Sequence, residues 1–506
     1  MESFATFLLL ILILILSLIC YLWIKQNNSN IPGPTGLPFL GSVFSVNPEK
    51  MHLSFYKWAL KYGTIFKIRI CGKTIIVLND FDLVRKVFAE KEQIEYFNDR
   101  SETFVGKFAV YETSDIVLSL NNNQKFVLLK RLLQKCLKRQ SQTGGFRNSF
   151  NEEMERLVEK IEQYDGKEFE LKPFIRHSLA NLVSILMSGE GVDGETSKRL
   201  WEFNDNTFYL LETSVNLFLT TFPFARHLPG KLGAVYKTMM SSRDWVINTY
   251  FNQCKSDSEA ESDKGLVYAL LRQQSDVNNE RGYTFITDDN IKGIILDLIV
   301  AAMKSTNSAV SACFLLLLNH PENISIIQNE IDEVVGQARV PEEEDQRKMP
   351  FCRAVVYEVL RYTSFGSLGL PHSVTKDYTL DTYHFRKNDI FLSNIWYIHH
   401  DPHFWDEPWE FRPSRFLDDD GALLQANHEK MRRIATFSVG RRVCAGKDIA
   451  FNRMFLYLTN ILQRFSLLPP EFSTLPSADP RGYVPGLFLE PKPFACKLIR
   501  RCDVQI

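Results

Sequence analysis

A chain of 506 residues with 59 basic and 60 acidic side chains has a formal net charge of −1, which excludes the basic surplus of a nucleic-acid binder. Its 45% hydrophobic and 24% charged composition excludes a disordered chain and supplies a large core. The nine cysteines are scattered singly with no Cys-x-x-Cys pair, which suits a reducing compartment and excludes a disulfide-dense secreted scaffold.

Residues 4–24 are an uncharged, Leu/Ile-rich run, long enough to cross a bilayer core of about 30 Å at roughly 1.5 Å per residue. Tyr21, Leu22 and Trp23 occupy the place where a cleaved signal peptide would carry small residues, so residues 1–25 are expected to form a retained single-pass anchor. Lys25 follows the span, which places the rest of the chain in the cytoplasm. Residues 26–50 contain Ile31-Pro32-Gly33-Pro34, Gly36, Pro38 and Gly41 and read as a stiff extended hinge, or, more plainly, as an ordinary Pro/Gly linker. Residues 51–506 form the expected globular domain.

Within it, 51–62 reads as a helix, and 65–70 and 74–78 as a hairpin around Gly72. Amphipathic patterns then predict helices over 126–137, 150–161, 175–187, 198–211 and 235–251, with a polar surface loop at 255–264. Thr287 is placed to cap a long helix whose stretch 294–302 is apolar nearly all round apart from Asp297, so that helix belongs at the centre of the fold. The expected class is mainly α with a smaller β region (α+β). Asn323-Ile324-Ser325 is a glycosylation acceptor sequence that a cytoplasmic domain would leave unmodified.

Near the carboxyl end stands Phe437-Ser438-Val439-Gly440-Arg441-Arg442-Val443-Cys444-Ala445-Gly446, followed by an amphipathic helix. A cysteine ahead of a helix meets free N–H groups and a dipole that favour the thiolate, a form suited to ligating a metal. Gly440 and Gly446 allow a tight loop to approach a flat cofactor, Arg442 can pair with a propionate, and Phe437 can shield the sulfur. The plainer reading is a buried cysteine in an Arg/Gly turn.

This loop resembles the haem-binding signature of the cytochrome P-450 superfamily. Glu358-Val359-Leu360-Arg361 is similar to the family's Glu-x-x-Arg helix, and Pro413-Ser414-Arg415-Phe416 to the segment that supplies a second arginine. A lone Glu-x-x-Arg is a common surface pair; its order ahead of the cysteine loop gives it weight. The resemblance covers essentially the whole chain. It implies a cytochrome P-450 fold with the long helix beside haem b, Cys444 as the iron ligand, and a buried network of Glu358, Arg361 and Arg415. It also implies Lys130, in a helix where the family often has Trp-x-x-x-Arg, and His372, after Pro371, as propionate partners.

The chain departs from the family at the oxygen-binding helix. The usual Ala/Gly-Gly-x-Asp/Glu-Thr is replaced by Ala301-Ala302-Met303-Lys304-Ser305, with Thr306 next. Ser305 keeps a hydroxyl, whereas Lys304 reverses the acid's charge; in an apolar ring its ammonium would be desolvated. Lys304, Ser305 and Thr306 are the expected oxygen-side residues. Monooxygenation of a lipophilic small molecule is the first reading, with electrons from an NADPH-dependent flavin reductase docked on the basic helix of Lys125, Lys130, Arg131, Lys135, Lys138 and Arg139, with Arg441 nearby. Rearrangement or dehydration of an oxygenated lipid is the second, since it needs no proton relay, and a non-catalytic haem protein the third. The resemblance further implies a pocket lined from 104–116, 208–217, Val300, Ala301, 367–370 and 484–488, and attachment to the endoplasmic reticulum membrane.

Overall fold

The computed structural model describes residues 7, 10, 11, 13, 14, 17, 30–38, 40–120, 124–257 and 264–501. The expected anchor therefore lies outside the described residues except at six scattered positions. Among the described residues one helix, Asp288–Asn319, is long and apolar enough to span a membrane; 67% of its most apolar window is buried in the protein, as a core helix requires.

The chain divides into two compact units, the first made of Met1–Ser101, Leu368–Ile398 and Val439–Arg441. Its helix Met51–Tyr62 leads into strands β1 (Ile65–Ile70) and β2 (Lys73–Leu78), which pair antiparallel around a Cys71-Gly72 turn with positive φ at both residues. The hairpin expected from alternation is present. Alternation could not reveal its extension, because β2 pairs in parallel with a strand over 300 residues away, Ile390–Ser393, which is flanked in turn by β3 (His372–Ser373). The Pro/Gly segment is no free linker here: Pro32 accepts the Lys67 N–H (2.8 Å), and a Cβ on Gly33 would lie 1.9 Å from the Lys67 carbonyl oxygen.

The second unit, Glu102–Ser367, His399–Ser438 and Arg442–Ile506, carries most of the helices. The five predicted amphipathic helices are Gln124–Ser141, Gly144–Glu162, Lys172–Ser188, Gly194–Leu211 and Lys231–Ile247, the last continuing as a π turn through Asn252. The expected polar loop begins later than its composition suggests, since helix continues to Ser256; residues 258–263 lie outside the described residues. Helices Leu266–Arg281 and Glu322–Val334 flank the central helix Asp288–Asn319 in sequence. Thr287 caps that helix through a reciprocal box with Asn290, and side chains of its last turns such as Phe314, Leu315 and Leu316 are fully buried.

Asn323 is buried at the start of Glu322–Val334, and its amide donates to the His320 carbonyl (3.2 Å). Its lack of a glycan would thus say nothing about which side of a membrane the domain occupies.

Candidate functional site

The helix Pro350–Thr363 buries Glu358 and Arg361 completely. Arg361 donates from Nε to Glu358 Oε2 (2.7 Å) and from Nη2 to Oε1 (2.8 Å), while Arg415 Nε reaches Oε1 at 3.0 Å. Two guanidinium groups on one carboxylate leave an excess positive charge, which carbonyl dipoles offset. Arg361 also donates to the carbonyls of His399, Pro408 and Glu410, and Arg415 to those of Asp406, Glu407 and Glu410. With five bonds from Arg361 and four from Arg415, burial of the charges is tolerable.

This network continues into the cysteine loop. The Ser364 hydroxyl donates to the Arg361 carbonyl (2.7 Å) and lies 2.8 Å from His399 Nδ1, while His399 Nε2 accepts the Ala435 N–H (2.9 Å). An accepting Nε2 assigns the imidazole proton to Nδ1. Burial, reinforced by the Arg361 charge, lowers the His399 pKa to about 3 and keeps the ring neutral. Thr436 adds a bond from Oγ1 to the Leu360 carbonyl (3.3 Å).

Two residues beyond Ala435 the loop closes, with Cys444 N–H donating to the Phe437 carbonyl (2.9 Å). Phe437 is half-buried. Gly446 caps the helix Lys447–Arg464, so Cys444 stands just ahead of its positive end. Burial raises the Cys444 thiol, whereas the Gly446 N–H and the Lys130 charge pull it down. Lys130 is buried and donates to the Val443 carbonyl (2.6 Å), beside the sulfur-bearing residue. Arg442 stacks 3.9 Å from the Phe126 ring and braces a loop, donating to the Ile116 carbonyl (2.8 Å), Ser119 Oγ (3.2 Å) and the Ser119 carbonyl (2.9 Å). Phe126, which lacks the N–H of the family's tryptophan, therefore serves as the guanidinium's platform.

The braced loop also belongs to the central helix. Asp297 accepts the N–H groups of Ile116 (2.9 Å) and Val117 (3.0 Å). Burial first, and the neighbouring Asp115 carboxyl second, push Asp297 well above the usual carboxylate range, so the two acids favour a shared proton. Along the same helix, burial is interrupted at 300–305: Ala301 is exposed while Met303 and everything from Thr306 to Leu318 is buried. An exposed alanine in mid-helix marks a gap beside the helix.

The sequence matches the cytochrome P450 family model over residues 31–498. The chain belongs to the cytochrome P450 family. Its relatives include cytochrome P450 2D20 of Mesocricetus auratus, 27% identical over 93% of each chain. Cytochrome P450 2B19 of Mus musculus is 29% identical over 87% of this chain and 88% of that one. Cytochrome P450 2H1 of Gallus gallus is 28% identical over 98% of this chain and 99% of the other. As a cytochrome P450 this protein is a haem-thiolate oxidoreductase of the monooxygenase class, mainly α with a smaller β region.

The residues of the second unit fit that cofactor. Cys444 keeps accessible surface although dense protein surrounds it, Gly446 has open space where a Cβ would stand, and Ala301 faces a gap. Cys444 and the cationic side chains of Lys130 and Arg442 would hold the macrocycle there, and the haem would supply the redox chemistry of dioxygen.

Of the expected oxygen-side residues, Lys304 has surroundings other than those its neighbours along the helix suggest. Lys304 does not end in an apolar ring: its ammonium meets Glu490 (2.8 Å) and Asp205 (3.5 Å). The Ser305 hydroxyl donates to the Ala301 carbonyl one turn back (2.7 Å), and Thr306 is buried. Gly440, at φ +72°, is required by a protein contact, since a Cβ would lie 1.9 Å from the Phe88 carbonyl oxygen in the first unit. In that unit His372 is buried, with Nδ1 3.0 Å from the Phe97 carbonyl and its ring centroid 4.0 Å from that of Phe88. Arg100, which carried no sequence signal, donates to the carbonyls of Leu370 (3.1 Å) and Pro371 (2.8 Å) and shapes the turn before His372. Sequence reasoning also missed His399, Asp115 and Glu490, each of which works through partners far away in the chain.

Proposed function

We propose that this protein inserts one oxygen atom of dioxygen into a lipophilic small molecule, with Cys444 as the residue that would hold haem b through its thiolate and with electrons from an NADPH-dependent flavin reductase. The observation that carries the assignment of Cys444 is its position one turn ahead of Lys447–Arg464, receiving the Gly446 N–H beside the Lys130 ammonium. A backbone donor and a cation favour the anionic sulfur that iron ligation requires. The neutral His399 link and the Glu358–Arg361–Arg415 network hold that loop in place.

Other features agree with a membrane-borne enzyme for lipophilic substrates. Phe218, Phe222, Phe224 and Leu228 form an exposed apolar patch, and the uncharged run at 4–24 supplies an anchor that would keep the catalytic domain on the cytoplasmic face of the endoplasmic reticulum. Arg131, Lys135, Lys138 and Arg139 are exposed along one face of Gln124–Ser141, a surface suited to an acidic reductase.

The test is the spectrum of the reduced protein with carbon monoxide. A thiolate opposite carbon monoxide gives a strongly red-shifted band, which Cys444→His should move to the position of imidazole-ligated haem. Bound haem with an unchanged band in that variant would remove Cys444 from the iron. One observation favours a second reading, the rearrangement of oxygenated lipids: Lys304 is paired with carboxylates and Ser305 donates to its own helix, so neither is poised as a proton donor. Turnover of a lipid hydroperoxide without reductant, with none of the plain lipid with reductase, would select it.

A further inference from the structure

Lys304 comes from the middle of the central helix and Glu490 from the C-terminal segment, yet their side chains meet at 2.8 Å with only 21% and 13% of their surfaces exposed. Lys172 binds the other oxygen of the same carboxylate at 3.0 Å, and the Ser308 hydroxyl lies 3.4 Å from the first. Although burial alone would raise Glu490, the two ammonium groups hold it below the usual range, so it is ionised throughout the neutral region. Asp205, 3.5 Å from Lys304, adds a second carboxylate and is itself bound by Arg176 (2.7 Å).

Glu490 closes a short loop. Its N–H and carbonyl exchange bonds with Val484 (3.1 and 2.7 Å), so the pair fixes the base of 484–490. Within this loop Phe488 packs against Phe208 (ring centroids 5.4 Å) and Phe365 (6.0 Å), and Leu489 N–H donates to the Phe365 carbonyl (2.8 Å). The Lys304 ammonium lies 6.0 Å from the Phe208 ring as well. The residue that replaces the family's acid therefore sits where the central helix, the Phe208 helix and the Phe488 loop meet. An acid at 304 would face Glu490 and Asp205 and repel both.

We propose that Lys304 and Glu490 are specificity-determining positioning residues, a charged clasp that seats Phe488 against Phe208 and Phe365 and thereby limits the length of substrate the pocket accepts. The inference rests on the haem-enzyme reading and on Phe488 and Phe208 facing the substrate. It gives the reversed charge at 304 a role that requires no proton transfer. Losing Lys304 leaves Glu490 held by Lys172 alone, and losing Glu490 leaves Lys304 held by Asp205 alone; either loss opens the clasp and frees the loop, so losing the second partner adds nothing.

The experiment uses the full-length holoprotein and n-alkylimidazoles of increasing chain length, whose ring nitrogen ligates haem iron and shifts its main absorption band. Lys304→Met and Glu490→Met should each change the affinity of the long-chain members by about tenfold. The double variant should change it no more than one single does, and Lys304→Arg should keep the original length profile. Imidazole itself should bind all variants alike. Hydrogen exchange should show lost protection at 484–490 in the single variants. An unchanged length profile and unchanged exchange in both single variants would overturn the clasp, as would additive effects in the double variant. No band shift with imidazole in the wild type would instead defeat the haem reading, and the exchange measurement would still judge the clasp.

Discussion

His399 accepts the Ala435 N–H at Nε2 from a position 2.8 Å from the Ser364 hydroxyl, so one neutral imidazole ties the Glu-x-x-Arg helix to the strand of chain entering the cysteine loop. The chemistry of that link sets a pH dependence. Its pKa is lowered to about 3 in the folded protein from an ordinary value of 6.5, so the unfolded chain binds a proton that the folded one refuses. The stabilising contribution is complete above pH 6.5 and is lost as pH falls, at roughly 1.4 kcal/mol per unit. His399→Asn should flatten the dependence of the urea midpoint below about pH 6.5 by one proton's worth. Because His52 is also lowered, to about 4, the difference between wild type and variant is the quantity to measure. Parallel curves would mean that the His399 ring is not held neutral.

The carboxylate of Glu358 is shared by Arg361 and Arg415, with the Arg412 N–H as a further donor (2.9 Å). Glu358→Leu should cost on the order of 3–5 kcal/mol because two buried guanidinium groups lose their counter-charge. The triple replacement of Glu358, Arg361 and Arg415 by apolar residues should cost much less than the sum of the single losses. Chemical unfolding of the single and triple variants checks this, and additive losses would contradict a single coupled network.

Lys130 pulls the Cys444 thiol down against the rise caused by burial. Its removal should therefore make the thiolate easier to protonate. On lowering the pH, Lys130→Met should lose the red-shifted carbon monoxide band at a higher pH than the wild type, while Lys130→Arg should not. A shift in the opposite direction would show that the ammonium's field does not reach the sulfur.

Lys135, Lys138 and Arg139 lie exposed on the helix Gln124–Ser141, whereas Lys130 on the same helix is buried. Replacing the three exposed residues by glutamate should weaken reductase-supported turnover several-fold, with the loss shrinking as salt rises. Haem content should hold. Equal turnover at all ionic strengths would reduce this face to a solvated helix surface.

These residues show how far sequence alone reaches. Cys444 stood out as a cysteine ahead of a helix, whereas Glu358 and Arg361 stood out only through a motif order that resembles the cytochrome P-450 superfamily, since a lone i,i+3 ion pair is common on any helix. The helices were legible through their apolar periodicity, and most ends moved by four residues or fewer. Glu490, His399 and Asp115 were not, since their partners Lys304, Ala435 and Asp297 are distant in sequence and no spacing rule connects them. Lys304 was misread for the same reason: its apolar neighbours along the helix suggested a desolvated ammonium, but the side chain reaches carboxylates from two other segments. The burial of Asn323 was not legible either, because a tripeptide motif carries no information about burial.

The geometry around Lys304 also decides what restoring the family's acid would do. From sequence, Lys304→Asp with Ser305→Thr would be expected to rebuild a proton relay and raise product formed per reductant consumed. In the structure the new carboxylate would stand near Glu490 and Asp205, three acids with Lys172 and Arg176 as the nearby cations. Such a cluster raises carboxyl pKa values and loosens the 484–490 loop. The double variant should therefore give less product per reductant and a broader range of bound alkyl lengths, whereas Ser305→Thr alone should keep the original length profile. Product yield with and without reductase, using a plain lipid and its hydroperoxide, separates the outcomes. Better coupling in the double variant with an unchanged length profile would restore Lys304 to the oxygen side of the haem. Worse coupling together with acceptance of longer ligands would place its role in the walls of the pocket.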